Sequence, residues 1–160
     1  MSHPSLGLPP VDRISGLPPV AARVDAARER LAARALEIAL DRDPTMRSRF
    51  DELAIRKLLR DTVTIVDRVV ESIAARDVEP ARSYGEATPP VYRRRKVPMN
   101  DLILIANAVR AAIGATLPVG EMGEVDAALD AMIDRFKWHG RIAGDARKRN
   151  RLLAAIYKGA

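Results

Sequence analysis

At 160 residues, with 48% hydrophobic and 30% charged side chains, the chain has the size and balance of one domain able to bury a core without disulfide or metal staples. The absence of cysteine removes disulfides, thiolate metal sites, iron–sulfur clusters and cysteine nucleophiles, and points to a reducing compartment. The formal charge of +6 is uneven, because residues 135–160 hold eight basic side chains against one acid, Asp145. The basicity therefore belongs to the C-terminal segment rather than to the whole chain.

Aromatic residues are only 4%, so the core is expected to be aliphatic. The start of the chain lacks a charged segment followed by an apolar one, and no apolar run approaches the roughly 18 residues needed to span a bilayer. The expectation is a soluble, cytoplasmic protein.

Residues 1–19 read as a Pro-rich tail with an internal repeat. Gly7-Leu8-Pro9-Pro10-Val11 recurs unchanged as Gly16-Leu17-Pro18-Pro19-Val20. A prolyl pair favours extended polyproline geometry, so each copy would present Leu and Val from a stiffened backbone, as docking peptides do. The alternative is a solvated leader whose second Pro-Pro starts the first helix, Pro being well placed at the first helical position.

A first amphipathic helix is predicted over residues 19–41, on Val20, Val24, Ala27, Leu31, Ala35 and Ile38. Asp43-Pro44 then caps a short turn through Phe50. A second helix over residues 51–76 has the clearest periodicity, with Ile55, Leu58, Leu59, Val63, Val66, Val69, Val70 and Ile73. Its β-branched residues favour strands, but a helical period held over roughly 20 positions outweighs propensity. Residues 77–97 read as an irregular connection, with a short helix near residues 78–84, a stop at Gly85, and Pro89-Pro90. A third helix starts at Pro98, carries Asp101 near its positive end and uses Leu102, Ile105, Val109, Ile113 and Leu117 before Pro118 and Gly120. A fourth runs from about Met122 to His139, Gly140 stops it, and a last short helix covers residues 145–157.

The run Tyr92-Arg93-Arg94-Arg95-Lys96-Val97-Pro98-Met99-Asn100-Asp101-Leu102-Ile103, followed by Ala108-Val109-Arg110, resembles the N-terminal helical domains of RsbR-type stressosome proteins. In those, a basic stretch leads into Gly-Val-Pro, a polar pair, Leu and a long helix carrying an Arg. The resemblance spans roughly residues 25–138. It implies a globin-like fold without haem that dimerises and acts as a sensor or interaction module. Lys96 stands where Gly is usual, and no output domain follows within these residues, so the resemblance implies a free-standing module.

Few residues could carry chemistry. Of the two histidines, His3 is in the tail and His139 follows Trp138, where a helix end would favour its charge. Carboxylates such as Asp25, Glu29, Asp61 and Asp67 are read as solvated charges beside Arg28 and Arg68, and Glu121 and Glu124 as serving a helix N-terminus. No Glu-x-x-His pair, P-loop or Gly-x-Gly-x-x-Gly occurs. Tyr84, Tyr92 and Trp138 are read as anchors of a core or an interface. Two basic clusters stand out: Arg93, Arg94, Arg95 and Lys96, and Arg147, Lys148, Arg149 and Arg151. After the second, Leu152, Leu153, Ile156 and Tyr157 form an apolar stripe that either fits a groove on a partner or folds back on the chain.

The expectation is an all-α, single-domain bundle of five to six helices at residues 20–140, flanked by a tail at residues 1–19 and a basic arm at residues 141–160. It is expected to be no enzyme and to hold neither cofactor nor metal. The expected role is protein–protein interaction, as a homodimer or as a subunit of a larger regulatory or scaffolding complex, through the two Leu-Pro-Pro-Val segments and the arm. Two alternatives remain open: nucleic-acid binding through the basic clusters by phosphate neutralisation, and a small-ligand sensor with a pocket between the second, third and fourth predicted helices.

Overall fold

Where the helical period of the sequence is clearest, a single helix of 24 residues forms. The structure, a computed structural model, describes residues 12–149 and the side chains of residues 12–144. Within it the helices are α1 (Pro19–Ala26), α2 (Arg28–Arg42), α3 (Thr45–Arg49), α4 (Glu52–Ala75), α5 (Glu79–Ala87), α6 (Pro89–Arg94), α7 (Met99–Gly114) and α8 (Gly123–Arg149), with a 3-10 turn at Val119–Glu121. The described residues contain no strand, so the chain is an all-α bundle. In α4, Asp51 Oδ1 accepts the Ala54 N–H at 2.8 Å and caps the first turn. Leu58, Thr62, Ile65, Val66, Val69, Val70 and Ile73 then form its buried face. Thr62, a polar residue on that face, donates its hydroxyl to the Leu58 carbonyl at 2.7 Å. At the end Arg76 takes a left-handed φ of 51°, and the Arg76 and Asp77 N–H groups each reach 3.1 Å from the Ile73 and Ser72 carbonyls. This pair of bonds closes a Schellman end on a residue other than glycine.

The single helix expected over residues 19–41 is two. Ala27 has φ −106° and ψ 5°, and its N–H bonds the Val24 carbonyl at 3.2 Å. No Pro or Gly stands at the break, so its cause is tertiary: α1 lies on α4, whereas α2 lies on both α7 and α4. Asp25 fills the corner. It is buried, not solvated as its neighbours suggest, and lies 3.5 Å from Arg13 and 3.8 Å from Arg28. Asp43 accepts the Thr45 N–H at 3.1 Å and its hydroxyl at 2.6 Å, which starts α3.

The connection expected to be irregular is helical for most of its length. Ser72 Oγ accepts the Ala81 N–H at 3.2 Å, joining α4 to α5. Gly85 does not stop α5. It lies inside the helix where α5 meets α8, so close that a Cβ there would stand 2.8 Å from the Met132 carbonyl oxygen and 3.0 Å from Arg135 Cβ. Glycine is needed for this approach rather than for a turn. Pro89 and Pro90 occupy the first turn of α6, where their missing N–H groups have no helical acceptor to lose. Lys96 ends α6 as Arg76 ends α4: its φ is 57°, its N–H bonds the Arg93 carbonyl at 3.0 Å, and Val97 N–H bonds the Tyr92 carbonyl at 2.9 Å.

The expected stop at Gly140 is likewise absent. The helix runs on through Gly140 and Gly144 to Arg149, so the expected boundary between domain and arm falls inside α8. Together α7 and α8 supply much of the core, with Leu102, Ile105, Val109 and Ile113 from one and Val125, Leu129, Met132, Ile133 and Phe136 from the other, all buried. Burying each such side chain contributes about 1.5–3 kcal/mol. Asp101 at the start of α7 is also buried, and Arg49 grips it through both guanidinium nitrogens at 2.7 and 3.1 Å. That bidentate bond fastens α3 to α7.

Candidate interaction surface

The second Leu-Pro-Pro-Val segment is part of the domain. Asp12 Oδ1 accepts the Ile14 and Ser15 N–H groups at 3.0 and 2.9 Å, and Gly16 turns at φ 83°. Arg13 then bridges Asp25 at 3.5 Å and Asp67 at 3.6 Å. Leu17 and Val20 pack partly buried against the core, Pro18 is the N-cap of α1 and Pro19 its first residue. In this arrangement the segment starts a helix, and its two apolar side chains serve the chain's own core. The tail expected to end at residue 19 is folded onto the domain from Asp12 onward. The first copy, with Leu8, Pro9, Pro10 and Val11, lies outside the described residues.

The basic run from Arg93 to Lys96 is not one patch. Arg95 turns inward, pairing with Asp61 of α4 at 2.7 Å and lying 5.3 Å over the Tyr92 ring. The half-buried Arg93 donates to the His139 carbonyl at 3.3 Å and so joins α6 to α8. Only Arg94 and Lys96 of the four are exposed. Asp61 is thus an ion-pair partner across helices rather than a solvated charge. Arg147, Lys148 and Arg149 are on the backbone of α8, but their side chains, with Arg151, Leu152, Leu153, Ile156 and Tyr157, lie outside the described residues.

Sequence periodicity misses an exposed apolar stripe on α8. Trp138 and Ile142, one turn apart, are 39% and 41% exposed. The Arg135 guanidinium lies 4.6 Å over the indole and bonds Glu86 of α5 at 2.5 Å. That bond is the main reason the Glu86 carboxyl is held below the usual carboxylate range. His139 sets its ring edgewise to Trp138 at 4.8 Å and brings Nε2 to 3.4 Å from Glu86 Oε1. It lies inside α8, so no helix end acts on it. The sequence hides the stripe because a helix that stops at Gly140 places Trp138 in its last turn. The signal is the four-residue spacing of Trp138 and Ile142 across Gly140.

Behind this surface, between α5 and α6, the Tyr84 and Tyr92 hydroxyls meet at 2.6 Å. Tyr84 also sets its ring edgewise to Phe136 at 6.5 Å. Burial pushes the Tyr84 phenol up to about 12, and burial together with Tyr84 pushes Tyr92 up as well. Both remain protonated phenols at neutral pH. They act as a clamp joining α5 to α6, so these two are core anchors while Trp138 faces outward.

Among the described residues, no three His, Asp or Glu side chains are grouped to hold a metal, and no helix is long and apolar enough to cross a membrane. Comparison with protein-family models, curated proteins and solved structures finds no match for this chain.

Proposed function

We propose that the chain is a non-catalytic protein–protein interaction module, a regulatory or scaffolding part of a larger assembly, and that its partner, a second copy or another subunit, docks on α8. The observation that carries this reading is the exposed pair Trp138 and Ile142 on a helix that continues to Arg149. Trp and Arg are among the side chains enriched at the energetic centre of interfaces. The basic residues farther along α8 then favour an acidic rim on the partner. The resemblance to RsbR-type stressosome domains is consistent with this proposal. Lys96, which stands at that family's glycine, has the left-handed backbone that glycine adopts most readily. Nucleic-acid binding is the weaker reading, since Arg93 and Arg95 are engaged within the chain.

The test is to compare the chain with its Trp138→Ala/Ile142→Ala variant by light scattering and by capture of partners from native lysate. Both side chains are partly exposed, so the variant should keep the helical circular dichroism of the parent. The reading requires self-association or partner capture in the parent and its loss in the variant. Equal behaviour of the two would refute α8 as the docking face.

A further inference from the structure

A groove of about 400 Å³ lies between the first turn of α7 and the middle of α8. Its floor is apolar: Met99 and Phe136 are buried, and Ile103 is partly so. Gly140 keeps it open, because a Cβ there would already stand 3.5 Å from Met99 Cβ, and any larger side chain would extend into the space.

Lys137 and Arg141 form the mouth, one turn apart on α8. Neither makes an ion pair with a described residue, and Asp134, one turn earlier, pairs with neither. Two like charges at this spacing repel, so an anion between them gains from both. Among the described residues, no acid lines this groove. Four other surface clefts each hold carboxylates: Asp25 and Glu29 in one, Asp51 and Glu52 in a second, Asp51 again in a third, Glu79 and Glu86 in a fourth.

We propose that this groove binds a free single-chain anionic amphiphile, with its carboxylate between Lys137 and Arg141 and its hydrocarbon chain over Met99 and Ile103. An apolar floor that takes the chain, with a few charged groups placed to fix one end, is the usual form of a small-molecule site, and the volume lies within the range of such sites. Binding would fasten α7 to the part of α8 that runs toward Arg149, so occupancy would be felt along that helix. The proposal does not depend on α8 having a protein partner.

The test uses sodium decanoate below its aggregation threshold, measured by titration calorimetry and by methyl resonances of Met99 and Ile103. Decyltrimethylammonium and phosphatidylglycerol vesicles are run in parallel. The expected result is saturable decanoate binding that shifts both methyl groups, no comparable binding of the cation, and affinity at least tenfold weaker in Lys137→Glu/Arg141→Glu. Gly140→Leu should abolish binding, and the charge variant, whose side chains are exposed, keeps the test valid if the leucine disturbs the fold. Equal binding of cation and anion, unchanged affinity in the charge variant, or binding to vesicles without binding of decanoate would overturn the proposal.

Discussion

Two glycines in helix interiors make opposite predictions under the same substitution. From propensity alone, Gly85→Ala and Gly140→Ala should each stabilise the chain by up to about 1 kcal/mol, since alanine loses less backbone freedom on folding. At Gly140 nothing opposes this gain: the new methyl would meet Met99 Cβ at 3.5 Å and Met99 Cγ at 3.8 Å, ordinary contact distances. At Gly85 the methyl would stand 2.8 Å from the Met132 carbonyl oxygen, 3.0 Å from Arg135 Cβ and 3.2 Å from Met132 Cα. Two of these three contacts are backbone atoms of α8 and cannot turn aside, so α5 must move outward. That movement pulls on the Tyr84 edge contact with Phe136 and on the Glu86 bond to Arg135. Overpacking of this kind costs about 1–3 kcal/mol. Net of the propensity gain, Gly85→Ala should lose up to roughly 2.5 kcal/mol while Gly140→Ala gains roughly 0.5–1. Urea melts of the two variants against the parent decide the matter, with each kcal/mol also moving Tm by roughly 2–4 °C for a chain of this size. A Gly85→Ala variant stabilised as much as Gly140→Ala would refute the close approach of α5 and α8.

Arg49→Met keeps the side-chain stem but leaves the buried Asp101 carboxylate without its bidentate partner. The expected loss is about 2 kcal/mol in a denaturant melt, and it should be smaller when Asp101→Asn is made as well. Lys96→Gly relieves a left-handed residue at φ 57° and should stabilise the chain by about 0.5–1 kcal/mol, whereas glycine at an ordinary helical site destabilises. Because the folded state raises the Tyr84 phenol from 10.0 to about 12, its contribution is fully present below pH 10 and is lost as pH rises through 12. On this account, unfolding midpoints measured from pH 8 to 12 should fall more steeply above pH 10 in the parent than in Tyr84→Phe/Tyr92→Phe.

How far the sequence foretells the structure depends on whether a residue answers to its neighbours or to distant helices. α4 was legible because its apolar period and the Asp51 cap are both local. The break at Ala27 was not, since it follows from α1 and α2 packing on different helices. Gly85 and Gly140 read as stops because glycine ends helices more often than it admits a neighbour, and only the approach of α8 to α5 and of Met99 to Gly140 separates those roles. Asp25 and Asp61 read as surface charges because their partners Arg13 and Arg95 are remote in sequence, and Asp101, placed at the start of its helix by the sequence, gave no sign of its burial against Arg49. For the same reason the basic run at residues 93–96 read as a uniform patch. The Trp138 and Ile142 stripe was present in the spacing, but its exposure could be judged only once α8 was seen to continue.

The most direct test of the docking face on α8 is photo-crosslinking in cells from a benzophenone side chain placed at Ile142, with the same group at Arg30 of α2 as the control, both positions being exposed. The expected result is discrete protein adducts from position 142 that are absent from position 30 and lost when Trp138 is changed to Ala. Identical adduct patterns from both positions, or no protein adduct from position 142, would contradict it.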